Sequence, residues 1–217
     1  MSTSYATREQ AVPAIDLIRS RHSVRSYVPE HIIPREVLKE ILEIAALAPS
    51  SSNVQHWRFF VIDSPTLKQQ LLPIANNQNQ IVEASAVIAI LGDTEGYRKA
   101  EMIYVSAAKA GYMPEDTARA FITRVETAYA SMPPSRAREV AITDASMAAM
   151  QLMLAARTKG YDTGPMGGFD NAKFMAAFGI PERYVPVMLL TIGKAAKPAH
   201  PTVRLPIEEV TFWNRMS

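Results

Sequence analysis

The 217-residue chain contains no cysteine, which excludes disulfides, thiolate metal sites and a cysteine nucleophile. Long hydrophobic runs are missing too: the longest, around residues 87–91 and 185–190, are far too short to span a bilayer. Residues 1–10 are polar and lack the apolar stretch of a signal peptide. Charge of one sign is not in excess, since a net charge of +2 is too small to argue for nucleic acid. The four histidines, His22, His31, His56 and His200, are widely separated and carry no metal-ligand spacing. No G-x-S-x-G occurs for a serine hydrolase, no Walker A sequence for a nucleoside triphosphatase and no G-x-G-x-x-G for a dinucleotide. A chain that is 48% hydrophobic and 20% charged is ordinary for a globular protein. The expectation is a soluble cytoplasmic protein with no metal, no membrane partner and no nucleic-acid partner, forming one domain over residues 1–217.

Helices are predicted at residues 13–19, at 34–48 after Pro34, and at 65–75 with Leu67, Leu71 and Leu72 on one face. Residues 58–63 read as a strand. Residues 84–91 read as a central strand buried on both faces and ended by Gly92-Asp93. Residues 76–80, Asn-Asn-Gln-Asn-Gln, form a polar connector between helix and strand. Residues 94–135 read as a helical excursion, with helices at 97–110 and 115–130 stopped by Pro133-Pro134. The Ala- and Met-rich stretch 144–159 is a buried helix with Thr143 as its N-cap and Gly160 at its C′ position. A helix at 171–178 and a second buried strand at 184–193 follow. The tail carries exposed-looking Phe212 and Trp213, which would pack on a neighbouring surface.

Four constellations carry polar chemistry. In residues 21–25, Arg21, Ser23 and Arg25 alternate about His22, so an extended backbone would present both guanidiniums and the hydroxyl on one face, as donors for an anion; a solvated basic loop is the plainer reading. Residues 49–57, with Pro49, Ser50, Ser51, Ser52 and Asn53, contain no Asp, Glu or Lys and precede a strand. They suit a neutral hydrogen-bonding heterocycle better than a metal or free phosphate. A simple loop, with Ser50 capping a turn and Trp57 in the core, would give the same residues. In residues 164–170, Gly167 and Gly168 would let the backbone approach a flat ring, and Asp170 would cap the next helix; this reading treats Pro165 to Asp170 as a turn with no strand immediately before it. Lys194 and Arg204 follow the last strand within reach of an anion, or form an ordinary surface pair. Donors and glycines without an evident acid, base or nucleophile suit an enzyme whose cofactor carries the chemistry.

Taken in order, these segments resemble the FMN-dependent nitroreductase family. The family's R-x-S-x-R corresponds to Arg21, Ser23 and Arg25, and its A-P-S-S-x-N-x-Q-P-W corresponds to residues 48–57. An amide-rich connector before A-S corresponds to Asn77 and Gln80 before Ala84-Ser85. P-x-G-G-F-D corresponds to residues 165–170, and R-L-P to Arg204-Leu205-Pro206. The resemblance covers about residues 15–213 and is weakest over 94–140.

The resemblance implies an α+β nitroreductase-like fold: a central mostly antiparallel or mixed sheet flanked by helices, in a homodimer whose C-terminal tails cross to the partner. It implies bound FMN, with NADH or NADPH as electron donor. Arg21, Ser23 and Arg204 would hold the phosphate with His22 beside them, and Arg25 would lie near the pyrimidine end of the flavin. Asn77 and Gln80 would bond the pyrimidine edge. Pro165, Met166, Gly167 and Gly168 would lie along the ring, the Gly167 N–H near N5. Pro49, Ser50, Ser51 and Asn53 would come from the partner subunit. The chain departs from the pattern at His56, where the family often has proline, and at Gln80 and Thr202, neutral where some members have lysine; the phosphate would then lean more on Arg204 or Lys194. The implied reaction is ping-pong hydride transfer through flavin N5 to a nitroaromatic, a quinone or a similar electron-poor acceptor, with no side chain as a catalytic group. A flavin carrier without NAD(P)H turnover is the alternative from another class. Dehalogenase, flavin-degrading and dehydrogenase chemistry are alternatives on the same fold.

Overall fold

The computed structural model describes residues 13–216. The polar segment 1–10 lies outside them. Twelve regular elements follow along these residues. Helices α1 (Ala14–Ser20) and α2 (Arg35–Ala45) lead to strand β1 (Trp57–Ile62). Helices α3 (Pro65–Leu71) and α4 (Gln80–Glu83) lead to β2 (Ala86–Asp93). The excursion is α5 (Ala100–Lys109) and α6 (Glu115–Ala130). Then come α7 (Pro134–Thr158), β3 (Asp162–Met166), α8 (Asn171–Phe178) and β4 (Tyr184–Gly193).

The four strands form one sheet in the order β1-β2-β4-β3, and every neighbouring pair is antiparallel. The expected α+β architecture is therefore present, with an antiparallel rather than mixed sheet. Alternation along β2 builds two cores from one strand. Ala86, Ile88 and Ile90 meet α2 and α7 on one face, where Leu38, Ile41, Ala145, Ala148 and Leu152 are buried. Val87, Ala89 and Leu91 meet the opposite layer, where Leu71, Ile81 and Phe174 close the core. Each fully buried Leu, Ile or Phe in these layers contributes roughly 1.5–3 kcal/mol by leaving water. Small residues bring α7 close: a Cβ on Gly92 would stand 2.8 Å from the carbonyl oxygen of Ala141.

Several expected boundaries change. The helix expected at 144–159 begins ten residues earlier, because Pro134 occupies its first turn, where no N–H is needed. Thr143 is therefore interior, and its hydroxyl donates to the Glu139 carbonyl at 2.9 Å. Residues 165–166 belong to β3, so a strand does run directly into the glycine turn. Gly92 and Asp93 continue β2 rather than ending it. Leu67 is exposed, and Leu71 alone of the three expected leucines is fully buried. The helix expected to reach residue 75 ends at Leu71, and Gln80 opens α4 instead of closing a connector. At α8 the expected cap holds: the Lys173 N–H donates to Asp170 at 3.0 Å, which draws that carboxyl below its ordinary pKa.

The excursion packs around its own cluster of Ala100, Tyr104, Ala118 and Val125, joined by Val54 from the segment before β1. Among the described residues no helix is long and apolar enough to cross a membrane. Phe212 and Trp213 are 55% and 85% exposed.

Candidate active site

The basic segment lies against the free edge of β3. Ser23 forms a parallel bridge to Thr163, and the Val24 N–H donates to the Thr163 carbonyl at 3.0 Å. Gly164 permits this approach, since a Cβ there would stand 2.3 Å from the Val24 carbonyl oxygen and 2.7 Å from Thr191 Oγ1. Tyr27 locks the segment from below. It is fully buried, its N–H donates to Glu83 at 3.1 Å, and its hydroxyl sits 2.9 Å from that of Thr191.

The extended backbone sorts the side chains by parity, as the sequence pattern implies. Ser23 and Arg25 line a cavity of about 460 Å3 together with Ser26, Lys197, His200 and Thr202. His22 and Val24 line a separate cavity of about 520 Å3 with Arg157 and Asp162, which are joined by an ion pair of 2.6 Å. Arg21 is half-buried and lines neither cavity. Lys194 is exposed and lines neither; the lysine that does is Lys197, between the two. Arg204 is one step removed, donating to Thr202 Oγ1 at 2.9 Å.

The glycine turn follows at the end of β3. Pro165 is half-buried and Met166 is packed into the core, so only Gly167 and Gly168 present backbone outward. Nothing lies within 4 Å of where a Gly167 Cβ would stand, and no hydrogen bond among the described residues engages its N–H. The amide connector fastens this turn, though not through the two expected residues. Asn76 Nδ2 and Gln78 Nε2 both donate to the Gly168 carbonyl, at 2.9 and 3.3 Å, and the Asp170 N–H donates to the Ile74 carbonyl at 3.0 Å. Asn76 and Asn77 have φ of 56° and 53°, a left-handed conformation that asparagine tolerates better than most residues. Asn77 is exposed, whereas Gln80 is buried beneath the connector with its amide 3.4 Å from Gln78.

The serine-rich loop stands at the other edge of the sheet, just before β1. Pro49 is exposed, Ser50 half-buried and Asn53 exposed. Ser50 Oγ accepts the Gln55 N–H at 3.1 Å, and Trp57 is buried, so the simple-loop features are present as well. Ser52, Asn53 and Gln55 have φ of 51°, 51° and 54°. Left-handed conformations of this kind cost of order 1 kcal/mol each and persist only where surrounding contacts enforce them. The enforcing contacts include Asp144, fully buried on α7, which accepts the Ser51 N–H at 3.1 Å and the Ser51 hydroxyl at 3.2 Å. Tyr104 on α5 donates to the Ser52 carbonyl at 2.7 Å.

The profile of the nitroreductase family matches residues 18–194, which takes in all of these groups but Arg204 and the tail residues beside Ser23. The chain belongs to the nitroreductase family. It is 47% identical over 199 residues to YodC of Bacillus subtilis, provisionally named an NAD(P)H nitroreductase, covering 92% of this chain and 98% of that one. It is 35% identical over 191 residues to the CLA biosynthesis enone reductase of Lactiplantibacillus plantarum, covering 86% and 88%. Among solved structures, a provisionally named nitroreductase of Exiguobacterium sibiricum in complex with FMN superposes with a TM-score of 0.91 at 41% identity, covering 96% of this chain and all of that one.

In this member of the family the basic segment, glycine turn and amide connector converge at the β3 edge, while the serine-rich loop hangs at the β1 edge with β2 and β4 between them. Neighbouring strands are about 4.8 Å apart, so the two groups stand on the order of 14 Å from each other across the sheet. No hydrogen bond joins them among the described residues. The residues that the sequence singled out thus form two separate clusters in one chain. Sequence reasoning missed Asn76, Gln78, Lys197 and the His56–Asp144 contact. The one acid in the Ala- and Met-rich stretch 144–159 was the available signal for Asp144.

Proposed function

We propose that the chain is an FMN-dependent NAD(P)H oxidoreductase that reduces electron-poor acceptors, nitroaromatics and quinones foremost, as a homodimer. The observation that carries this reading is the unengaged Gly167 N–H on an open backbone turn, at the same β3 edge as a cavity lined by hydroxyls and cations. That donor set fits FMN: the turn offers a flat ring a backbone donor without a side chain in the way, and Ser23, Lys197 and Thr202 offer a phosphate charge-assisted partners. Bound FMN would supply hydride acceptance and donation at N5. Arg21 and Arg204 would complete the phosphate set, Asn77 would bond the pyrimidine edge, and Arg25 would balance negative charge at that end of the ring. Gln80, buried, would act by holding Gln78. The chain's own contribution is binding, orientation and electrostatics, with donor and acceptor using one face of the ring in turn.

The separation of the two clusters supports the dimer. A second copy would bring its serine-rich loop, with Pro49, Ser50, Ser51 and Asn53, to the glycine turn of the first. Apolar surface in the right place supports this: Leu47 is 76% exposed beside a cavity of about 480 Å3 lined by Ile44, Pro49, Met147, Met150 and Leu154. The tail, with Phe212 and Trp213, would cover the partner. The resemblance to an enone reductase supports a second acceptor class, a carbon–carbon double bond conjugated to a carbonyl. Anaerobic turnover of purified protein with a nitroaromatic, a quinone and a simple enone tests the choice. NAD(P)H oxidation with none of the three would overturn the acceptor reading.

A further inference from the structure

We propose that His56 and Asp144, together with Tyr104, are positioning residues that set the shape of the flavin-facing loop at residues 50–53 and so tie cofactor binding to helices α5 and α6. The proposal rests on the FMN reading above. Asp144 is fully buried, and among the described residues its carboxylate is met only by donors: the Ser51 N–H, the Ser51 hydroxyl and His56 Nδ1 at 2.6 Å. A carboxylate can only accept, so His56 carries its proton on Nδ1. The imidazole has no room to turn. Tyr129 of α6 stacks on it at 5.4 Å between centroids, and a Cβ on Gly96 would stand 2.9 Å from its Cδ2. Its backbone is fixed as well, the carbonyl accepting the Asp93 N–H at 2.6 Å from the end of β2.

A buried hydrogen bond contributes only about 1 kcal/mol of net stability, because folding exchanges it for bonds to water. What this one supplies is geometry. It holds the Ser51 amide at one point while Tyr104 holds the Ser52 carbonyl, and beside these anchors Ser52 and Asn53 adopt their left-handed conformations. Tyr97 continues the stack onto Tyr129 at 5.5 Å, so the ring column over His56 is built from the excursion itself. Helix α5 therefore grips the loop directly through Tyr104 and α6 grips it through the ring stacked on His56, and a change in either is transmitted to the cofactor that the loop faces in the partner.

The test compares His56→Leu, His56→Asn and Tyr104→Phe with the unaltered protein, reading FMN affinity by flavin fluorescence on titrating apoprotein, apoprotein melting, and kcat separately from KM for the acceptor. His56→Leu is expected to raise the FMN Kd by about tenfold or more, the scale of losing one partner of a buried hydrogen bond. His56→Asn, whose amide nitrogen can donate from near the Nδ1 position, is expected to restore most of that affinity. Tyr104→Phe, which strands no charge, is expected to weaken FMN binding with little change in melting. Lowered melting of His56→Leu with unchanged FMN affinity would overturn the proposal, as would an equal loss in His56→Asn and His56→Leu. If His56→Leu does not fold, Tyr104→Phe decides, and unchanged affinity there rejects the role. An unaltered protein that binds no FMN removes the function reading and this inference with it, whereas normal binding in both the unaltered and His56→Leu proteins removes this inference alone.

Discussion

The side-chain amide of Asn76 donates to the carbonyl of Gly168 at 2.9 Å, across 92 residues of sequence. With Gln78 on the same oxygen, this bond fixes the plane of the peptide that joins Gly168 to Phe169, at the end of the glycine turn. Asn76→Ala is expected to leave the fold intact and to weaken FMN binding by about fivefold, corresponding to about 1 kcal/mol for one hydrogen bond. Fluorescence titration of the apoprotein checks this. An affinity equal to the unaltered protein would mean that the turn holds its shape unaided.

Gly164 is where the basic segment and β3 come closest. Gly164→Ala places a methyl group 2.3 Å from the Val24 carbonyl oxygen, so Ser23–Thr163 pairing has to open. The expected cost is about 1–3 kcal/mol, as for overpacking elsewhere in protein cores. Urea unfolding of the apoprotein measures it, and FMN affinity is expected to fall in parallel because Ser23 and Arg25 move with the segment.

Phosphate recognition separates FMN from riboflavin. Lys197→Ala is expected to weaken FMN binding by about tenfold, the scale of one charge-assisted hydrogen bond, and to leave riboflavin binding unchanged. Arg204→Ala is expected to act the same way, both by its own charge and by releasing Thr202, which it holds at 2.9 Å. Equal losses for both flavins would place these side chains away from the phosphate.

Alkaline pH strains the fold through three tyrosines. Burial raises the hydroxyl pKa of Tyr27, and it does the same for Tyr104 and Tyr129, where Arg124 and the Ser52 and Ser51 hydroxyls respectively pull back part of the rise. A folded-state value above the unfolded one favours the neutral form in the native protein. The associated stability is fully present below the ordinary tyrosine pKa of about 10 and is lost as pH rises through the folded-state values. The urea midpoint is therefore expected to fall above about pH 10, and Tyr27→Phe to shallow that fall while costing about 1 kcal/mol at neutral pH through its lost hydrogen bonds.

Local signals were legible where they were self-contained. Helix α8 and strand β4 have the bounds the sequence implies, because Asp170 caps one and a compact apolar run defines the other. Helix α7 was misjudged at its start because Pro133-Pro134 reads equally as a stop and as a beginning; proline in the first helical turn lacks nothing the helix needs. Strand β3, Asp-Thr-Gly-Pro-Met, was hidden by a glycine and a proline that strands usually avoid, and it tolerates them at the sheet edge. The motifs of the site were visible as residue types. Their supports were not: His56 and Asp144 are 88 residues apart, and only the packing of α7 over the sheet brings them within bonding distance.

The most direct test is the visible spectrum of the purified protein before and after anaerobic addition of NADH or NADPH. The expected result is a yellow protein whose flavin absorbance bleaches with one of the two donors and returns when an electron-poor acceptor is added. A colourless protein that does not take up added FMN would contradict the reading of the site, and bound FMN that neither donor bleaches would favour a flavin carrier over an enzyme.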